Sequence, residues 1–402
     1  CIRDSNMIRG YQFSLHCRLL LCVLPIVIVC GGFSSTTKAG GDDPSVVPKP
    51  VAREFLSIAW YKKLAPDTAL KETIEYFSGE AILHFQIMDG SYRKAPTKVV
   101  GALLLPERSE SVPVVVLSPD SSGPSGFYGK WAEPFWKGVI KRLFDKGIGV
   151  FIIDGFGTRG ISKTYDDQSR YSWPAQTLDT LMAFNVLADD PRVDKKRIGI
   201  LGHSRGADMA LGVTDRRLTQ SILGEGNYFA ASLAMASSCN SQLFENPKPT
   251  PTAVLMLHGL ADDYTPASLC IDYAERMKNA GAKIDLVLKE GWHHGFYLTV
   301  KAWRCPMCVH AHDCPIRFYS SDDGLMNADF IDFIEKSLDI NWKKTLADIV
   351  DRLEHEDRYK KFQQIYRKIR VNCGQKGATV GGGHTQESID IVVNFFAREL
   401  AP

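Results

Sequence analysis

Three things are missing from this 402-residue sequence, and each absence removes a class of function. No apolar run is long enough to span a bilayer comfortably: the longest uncharged stretch, residues 19–30, is about a dozen residues and is interrupted by Pro25. That excludes a multi-spanning membrane protein. There is no excess of charge of one sign, since 48 basic and 46 acidic side chains leave a net +2. Residues 1–39 carry four of the basic groups (Arg3, Arg9, Arg18, Lys38) against one acid (Asp4), so the rest of the chain is at −1. A near-neutral body has no field to gather phosphates, and nucleic acid is not an expected partner. Internal repeats are also absent, which excludes propeller and solenoid architectures.

What is present is an ordinary globular composition, 45% hydrophobic and 23% charged, neither disordered nor collagen-like. The apolar run at 19–30 follows basic residues and precedes the small residues Gly31, Gly32, Ser34 and Ser35. That order is the pattern of a secretory signal peptide, with Thr37-Lys38-Ala39 as the cleavage site, and it predicts a periplasmic or secreted protein with no membrane attachment after cleavage. An uncleaved anchor helix and a lipoprotein signal acylated at Cys30 are the alternatives.

Beyond residue 40, strand and helix patterns alternate. Residues 81–86 and 98–105 alternate like strands, while 112–117 and 149–153 are continuous apolar runs of the kind buried on both faces of a sheet. Further strands are predicted at 197–201, 230–236, 253–257 and 283–288, and helices at 136–145, 173–188, 206–213, 269–280 and 387–400. This alternation predicts an α/β fold, a mainly parallel sheet with helices on both faces. Residues 301–372 break the rhythm with a Cys/His-rich segment followed by a charged helical one, and read as an insertion, either a lid or a packed helix pair. The expected organisation is a signal peptide at 1–39, the α/β domain over 40–300 and 373–402, and the insertion between.

Gly202-His203-Ser204-Arg205-Gly206 lies between the predicted strand ending at 201 and a helix. G-x-S-x-G at such a junction turns the chain sharply enough to lift a serine hydroxyl above the sheet edge, with the Arg205 N–H facing an oxyanion. A serine needs a base, and the base needs an acid, in the chain order Ser, Asp, His. Downstream come the pair Asp262-Asp263 and then the pair His293-His294, both after predicted strands.

These pieces resemble the dienelactone hydrolase family of α/β-hydrolases. The resemblance rests on GHSRGA (202–207), HGLADDYTP (258–266) and HHGF (293–296), with weaker matches in DGFGTRG (154–160) and CGQKGATVGGG (373–383). It implies an α/β-hydrolase fold with Ser204 as nucleophile, Asp262 as acid and His294 as base, Asp263 and His293 being the runners-up. Position 204 is serine where the dienelactone hydrolases proper carry cysteine, which favours a general serine esterase acting on a small-molecule ester. The His-Gly that often follows the third strand in this family reads here as Ser118-Pro119-Asp120-Ser121. Proline has no N–H, so the second oxyanion donor falls to Asp120 or Ser121, and the Asp120 carboxylate could work against the oxyanion. Arg159 and Arg205 are candidates for a substrate carboxylate, or for structuring their loops. No cofactor or metal is required.

Removal of the leader leaves six cysteines, Cys239, Cys270, Cys305, Cys308, Cys314 and Cys373, and an oxidising compartment predicts disulfides. Cys239 with Cys270 is the natural pair near Asp262; Cys314 with Cys373 and Cys305 with Cys308 complete one scheme. Zinc held by Cys305, Cys308, Cys314 and His310 or His312 is the alternative. Two rival functions stand beside the esterase: a peptidase resembling the prolyl-oligopeptidase type, and a catalytically inactive hydrolase fold acting as a binding module.

Overall fold

The computed structural model of the chain describes residues 58–239, 241–244, 246–310, 318–320, 328–347 and 374–401, with a few positions between 357 and 368. The expected leader and the cysteines at 314 and 373, with His312, lie outside the described residues.

The apolar runs, buried at nearly every position, build the sheet. The strands are β1 (Ala69–Gly79), β2 (Pro96–Pro106), β3 (Val112–Ser118), β4 (Gly149–Asp154), β5 (Val193–His203), β6 (Ala231–Met235), β7 (Ser241–Phe244), β8 (Ala253–Gly259) and β9 (Lys283–Lys289). All but β7 form one eight-stranded sheet in the order 1-2-4-3-5-6-8-9. Strands β1, β2 and β4 run antiparallel to their neighbours in turn, while β4, β3, β5, β6, β8 and β9 are mutually parallel. The six parallel strands therefore deliver their carboxyl ends to one edge.

The helices are α1 (Phe85–Met88), α2 (Ser125–Tyr128), α3 (Glu133–Asp145), α4 (Trp173–Ala188), α5 (Arg205–Gly212), α6 (Arg216–Leu223), α7 (Ala267–Asn279), α8 (Ala328–Leu338), α9 (Trp342–Ala347) and a C-terminal helix (Thr385–Glu399). Val114 and Val116 point to one face of the sheet with Leu178 and Leu181 of α4, Ala210 of α5 and Met277 of α7. Val115 and Leu117 point to the other, with Val139 and Leu143 of α3 and Val392 and Phe396 of the C-terminal helix. A strand covered on both sides needs apolar residues at every position, which is why β3 and β4 read as unbroken runs. Gly199 of β5 makes room for the Phe396 ring, which a Cβ there would meet at 2.9 Å.

Residues 81–86 are not a strand, a correction to the pattern reading. The side chain of Gln86 accepts from the N–H groups of Ile82 and Leu83 at 2.7 and 3.0 Å, taking the donors that a partner strand would use, and the chain enters α1 instead. The strand before it is β1, whose exposed positions mix the apolar Leu70 and Phe77 with Glu72, Thr73 and Glu75, so its apolar period is faint. The insertion is tied to the body at both ends. Strand β10 (Trp303–His310) pairs antiparallel with β12 (Gln375–Val380), and β11 (Phe318–Ser320) pairs with β7.

Phe396 is fully buried, so Phe396→Ala is expected to cost about 3–5 kcal/mol. Urea unfolding followed by circular dichroism measures this, and a loss under about 1 kcal/mol would contradict the packing described.

Candidate active site

Ser204 sits between the last residue of β5 and the first of α5, with φ +52° and ψ −122°. A serine pays strain there, on the order of 1–3 kcal/mol, and stays only because its surroundings leave no alternative. The Ser204 N–H donates to Met235 O at 2.8 Å. A Cβ on Gly202 would lie 2.0 Å from Gly206 O, and one on Gly206 would lie 2.3 Å from Ser118 O. Both glycines are thus demanded by backbone-on-backbone contact, not by flexibility. Arg205 opens α5, where its N–H has no acceptor within the helix.

The Ser204 hydroxyl is 3.1 Å from His294 Nε2, and His294 Nδ1 is 2.9 Å from Asp262 Oδ2. A carboxylate only accepts, so Nδ1 carries the proton and Nε2 offers its lone pair to the serine O–H. All three side chains are buried. The acid is held by a fork: Asp262 Oδ1 accepts the N–H groups of Tyr264 and Thr265 at 2.9 and 2.8 Å, and Oδ2 accepts the Thr265 hydroxyl at 3.0 Å. Burial works against the charge on Asp262, but His294, His258 and the Thr265 N–H together bring its pKa down to about 2. Thr265 Oγ1 also lies 3.0 Å from His294 Nδ1, and the His258 ring donates to Thr265 O at 2.6 Å.

The loops carrying acid and base are pressed together, since a Cβ on Gly259 would meet Trp292 O at 2.1 Å. His293 and Asp263 serve the scaffold. His293 Nδ1 donates to Ala261 O at 2.8 Å, fastening one loop to the other. Asp263 faces the β10–β12 ribbon, accepting from Thr379 N and Oγ1 at 2.6 and 3.1 Å and from Arg304 Nη1 at 2.7 Å. It anchors the β10–β12 ribbon, whose following residue Gly381 donates to His294 O at 2.7 Å.

Of the two roles open to Arg159, the structure shows the loop-structuring one and not the contact with a substrate carboxylate. Its side chain is 8% exposed, bonded to Glu80 Oε1 at 2.6 Å, Asp179 Oδ2 at 2.8 Å and Gly155 O at 2.8 Å, and it covers the Tyr171 ring. A guanidinium so fully used, in an ion network this deep, has no face left for a substrate carboxylate. Arg205 is likewise engaged through its side chain, with Gln176, Gln168 and Tyr171 O. Gln176 donates in turn to Pro119 O at 2.8 Å, and Gln168 to Ser121 Oγ at 2.8 Å, so the Arg205 guanidinium braces the loop after β3.

In that loop Asp120 Oδ1 accepts the Ser122 N–H at 2.7 Å, and Oδ2 lies 3.0 Å from His203 Nδ1. Burial raises the Asp120 pKa, but His203 and Ser122 outweigh it and hold the carboxyl below its ordinary value. Thr265, His203, His258 and Gln176 were not singled out by sequence reasoning. Three of them stand inside the quoted motifs, His203 at the variable position of G-x-S-x-G, His258 at the head of the acid motif and Thr265 two residues past the acid pair, and only their contacts give them roles.

The sulfurs of Cys239 and Cys270 are 2.02 Å apart, and those of Cys305 and Cys308 2.12 Å, both at disulfide distance. The first pair joins the loop after β6 to α7, directly behind the acid loop. The second pair takes up two of the ligands in the zinc alternative.

Comparison with known proteins bears on the whole of this region. A model of the dienelactone hydrolase family matches residues 99–311, just over half of the chain. No curated protein matches. Among solved structures, the chain is similar to a dienelactone hydrolase-like promiscuous phosphotriesterase from metagenomic libraries, at 15% identity and TM-score 0.38, over 56% of this chain and 84% of that one. It is similar to an α/β-hydrolase enzyme from a Medee basin deep-sea metagenome library, at 15% identity and TM-score 0.36, over 62% and 93%. A third is esterase 2 of Thermogutta terrifontis phosphoramylated by tabun, at 18% identity and TM-score 0.37, over 49% and 81%. The sheet order and the family match agree on the α/β-hydrolase fold, and the chain belongs to the dienelactone hydrolase family.

Proposed function

We propose that the protein is an exported serine hydrolase that cleaves carboxylic esters or lactones through an acyl-enzyme on Ser204. The observation that carries this reading is the unbroken chain from Ser204 Oγ through His294 to Asp262, at 3.1 and 2.9 Å, with the serine on a turn of positive φ.

In the mechanism, His294 Nε2 takes the Ser204 proton as Oγ bonds to the ester carbonyl carbon. The carbonyl oxygen becomes an oxyanion and accepts the N–H groups of Arg205 and Asp120. The C–O bond to the alcohol then breaks, and the leaving oxygen takes the proton from His294. Water repeats the sequence: His294 removes its proton, the hydroxide adds to the acyl carbon, and the carboxylic acid leaves as Ser204 recovers its hydrogen. Asp262 remains ionised throughout, fixing the tautomer and balancing the imidazolium. Arg304, from the start of the expected insertion, is held against the acid loop through Asp263. Export is supported by the signal-like leader and by the two cysteine pairs at disulfide distance; no helix among the described residues is long and apolar enough to cross a membrane.

Wild type is expected to be labelled by a fluorophosphonate probe and to hydrolyse short p-nitrophenyl esters, and Ser204→Ala to do neither. A wild type that is neither labelled nor active overturns the reading. Asp262→Asn should lower kcat by about 10³–10⁴-fold, because the imidazole loses its tautomer. Asp263→Asn should lose less than about tenfold, since that carboxylate holds the ribbon and not the base; equal losses in the two variants would reverse the assignment of the acid.

Asp262 also predicts a pH dependence of stability. A carboxyl lowered from 3.8 to about 2 contributes stability present above pH 3.8 and lost as pH falls through about 2, amounting to about 2 kcal/mol. Thermal melts of wild type and Asp262→Asn should therefore converge over that window. A gap in Tm that stays constant from pH 5 to 2 contradicts it.

A further inference from the structure

Two histidine–carboxylate pairs stand side by side at the strand ends, and the mechanism above uses only His294–Asp262. The other is His203–Asp120. The His203 ring is 4.9 Å from the His294 ring and 4.8 Å from that of Tyr297, and its side chain is 6% exposed. Because the Asp120 carboxylate only accepts, the proton between them sits on His203 Nδ1. His203 Nε2 is then bare, and it is buried without a hydrogen-bond partner. A group so enclosed and half-satisfied is costly, and its one bond goes to the loop that follows β3.

That loop needs holding. With proline at 119, the oxyanion donor in the proposed mechanism is on this side the main-chain N–H of Asp120, a residue that brings its own negative charge close to where a second one would develop. The main chain is braced from one direction by Gln176 on Pro119 O and Gln168 on Ser121 Oγ. The carboxylate is engaged from the other by Ser122 N and His203.

We propose that His203 is a positioning residue for the reaction: it donates Nδ1–H to Asp120, fixes the loop that presents the Asp120 N–H, and keeps the Asp120 charge hydrogen-bonded instead of facing the tetrahedral oxyanion. The inference rests on the serine hydrolase reading and adds to it the device that lets this chain work with Ser-Pro-Asp after β3. Neutral His203 suits the task. Burial lowers its pKa, His294 adds to that, and Asp120 and Asp262 pull the other way without prevailing; Tyr297, its hydroxyl pKa raised chiefly by burial and further by Asp120, is another titratable neighbour.

The test is a double-mutant cycle on the full chain, with kcat and KM for a short p-nitrophenyl ester, fluorophosphonate labelling rates and circular dichroism melts. His203→Ala removes the donor on Asp120 Oδ2 while Ser122 N stays on Oδ1, and kcat is expected to fall by about 10- to 100-fold with KM within about threefold. Adding Asp120→Asn to His203→Ala removes the Asp120 charge and is expected to recover at least about fivefold in kcat, so the two losses do not multiply. A merely structural role gives a double variant no better than His203→Ala, and this result overturns the proposal. So does a His203→Ala variant as fast as wild type. If His203→Ala does not fold, His203→Asn and His203→Leu replace it: the first keeps a donor near the Nδ1 position and should be at least about fivefold faster than the second, and equal rates overturn the proposal. A wild type that labels and turns over ester while these comparisons fail leaves the serine hydrolase intact and removes only the role of His203. A wild type that does neither removes both.

Discussion

The turn from β5 into α5 brings three stretches of main chain closer than side chains would permit. Gly202 touches the carbonyl of Gly206, Gly206 touches that of Ser118, and Ser204 between them is forced to positive φ. This close approach sets the position of everything else in the site. It aims the serine hydroxyl at His294, exposes the Arg205 N–H at the head of a helix, and fixes the distance from that N–H to the loop after β3. The strain is local, but the contacts that sustain it come from two neighbouring strands, so the turn exists only within the assembled sheet.

The second constraint is the contact between the loops after β8 and β9. Gly259 lies against Trp292 O, His293 bonds to Ala261 O, and Thr265 links the acid loop to Ala236 O as well as to both members of the acid–base pair. A buried carboxylate would ordinarily be driven toward its neutral form. Here the surrounding donors reverse that tendency, and the same donors define the orientation of the imidazole. Behind the loop, Cys239 and Cys270 join the ends of two adjacent elements; in front, Asp263 and Gly381 fasten the ribbon from the insertion. The site is therefore held by side-chain bonds from His293, Thr265 and Asp263 together with the main-chain bond from Gly381 to His294 O.

Much of this was legible before any coordinates. The runs forming β3, β4, β6 and β8 could be read because strands covered on both faces need apolar residues throughout. The serine turn was legible because its steric demands fall on two glycines at fixed spacing. Elements at the edge were harder. Strand β1 exposes Leu70 and Phe77 beside Glu72 and Glu75, and the segment at 81–86, with a strand-like alternation, is turned aside by the side chain of Gln86. Arg159 illustrates another limit. A basic residue in a strand-end loop has the same appearance in sequence whether it meets a ligand or two buried carboxylates, and only the arrival of Glu80 and Asp179 from distant segments decides between them.

By itself the sequence determined the buried parallel strands, the nucleophile turn and the two short motifs proposed to supply acid and base, because each of these is a local pattern imposed by steric or hydrophobic periodicity. The tertiary structure decided which carboxylate of Asp262-Asp263 meets an imidazole, which imidazole of His293-His294 meets the serine, and that Asp120 meets His203 across 83 residues. Adjacent residues in a loop have the same composition and opposite directions. Direction is set by long-range packing, and a one-dimensional pattern does not contain it.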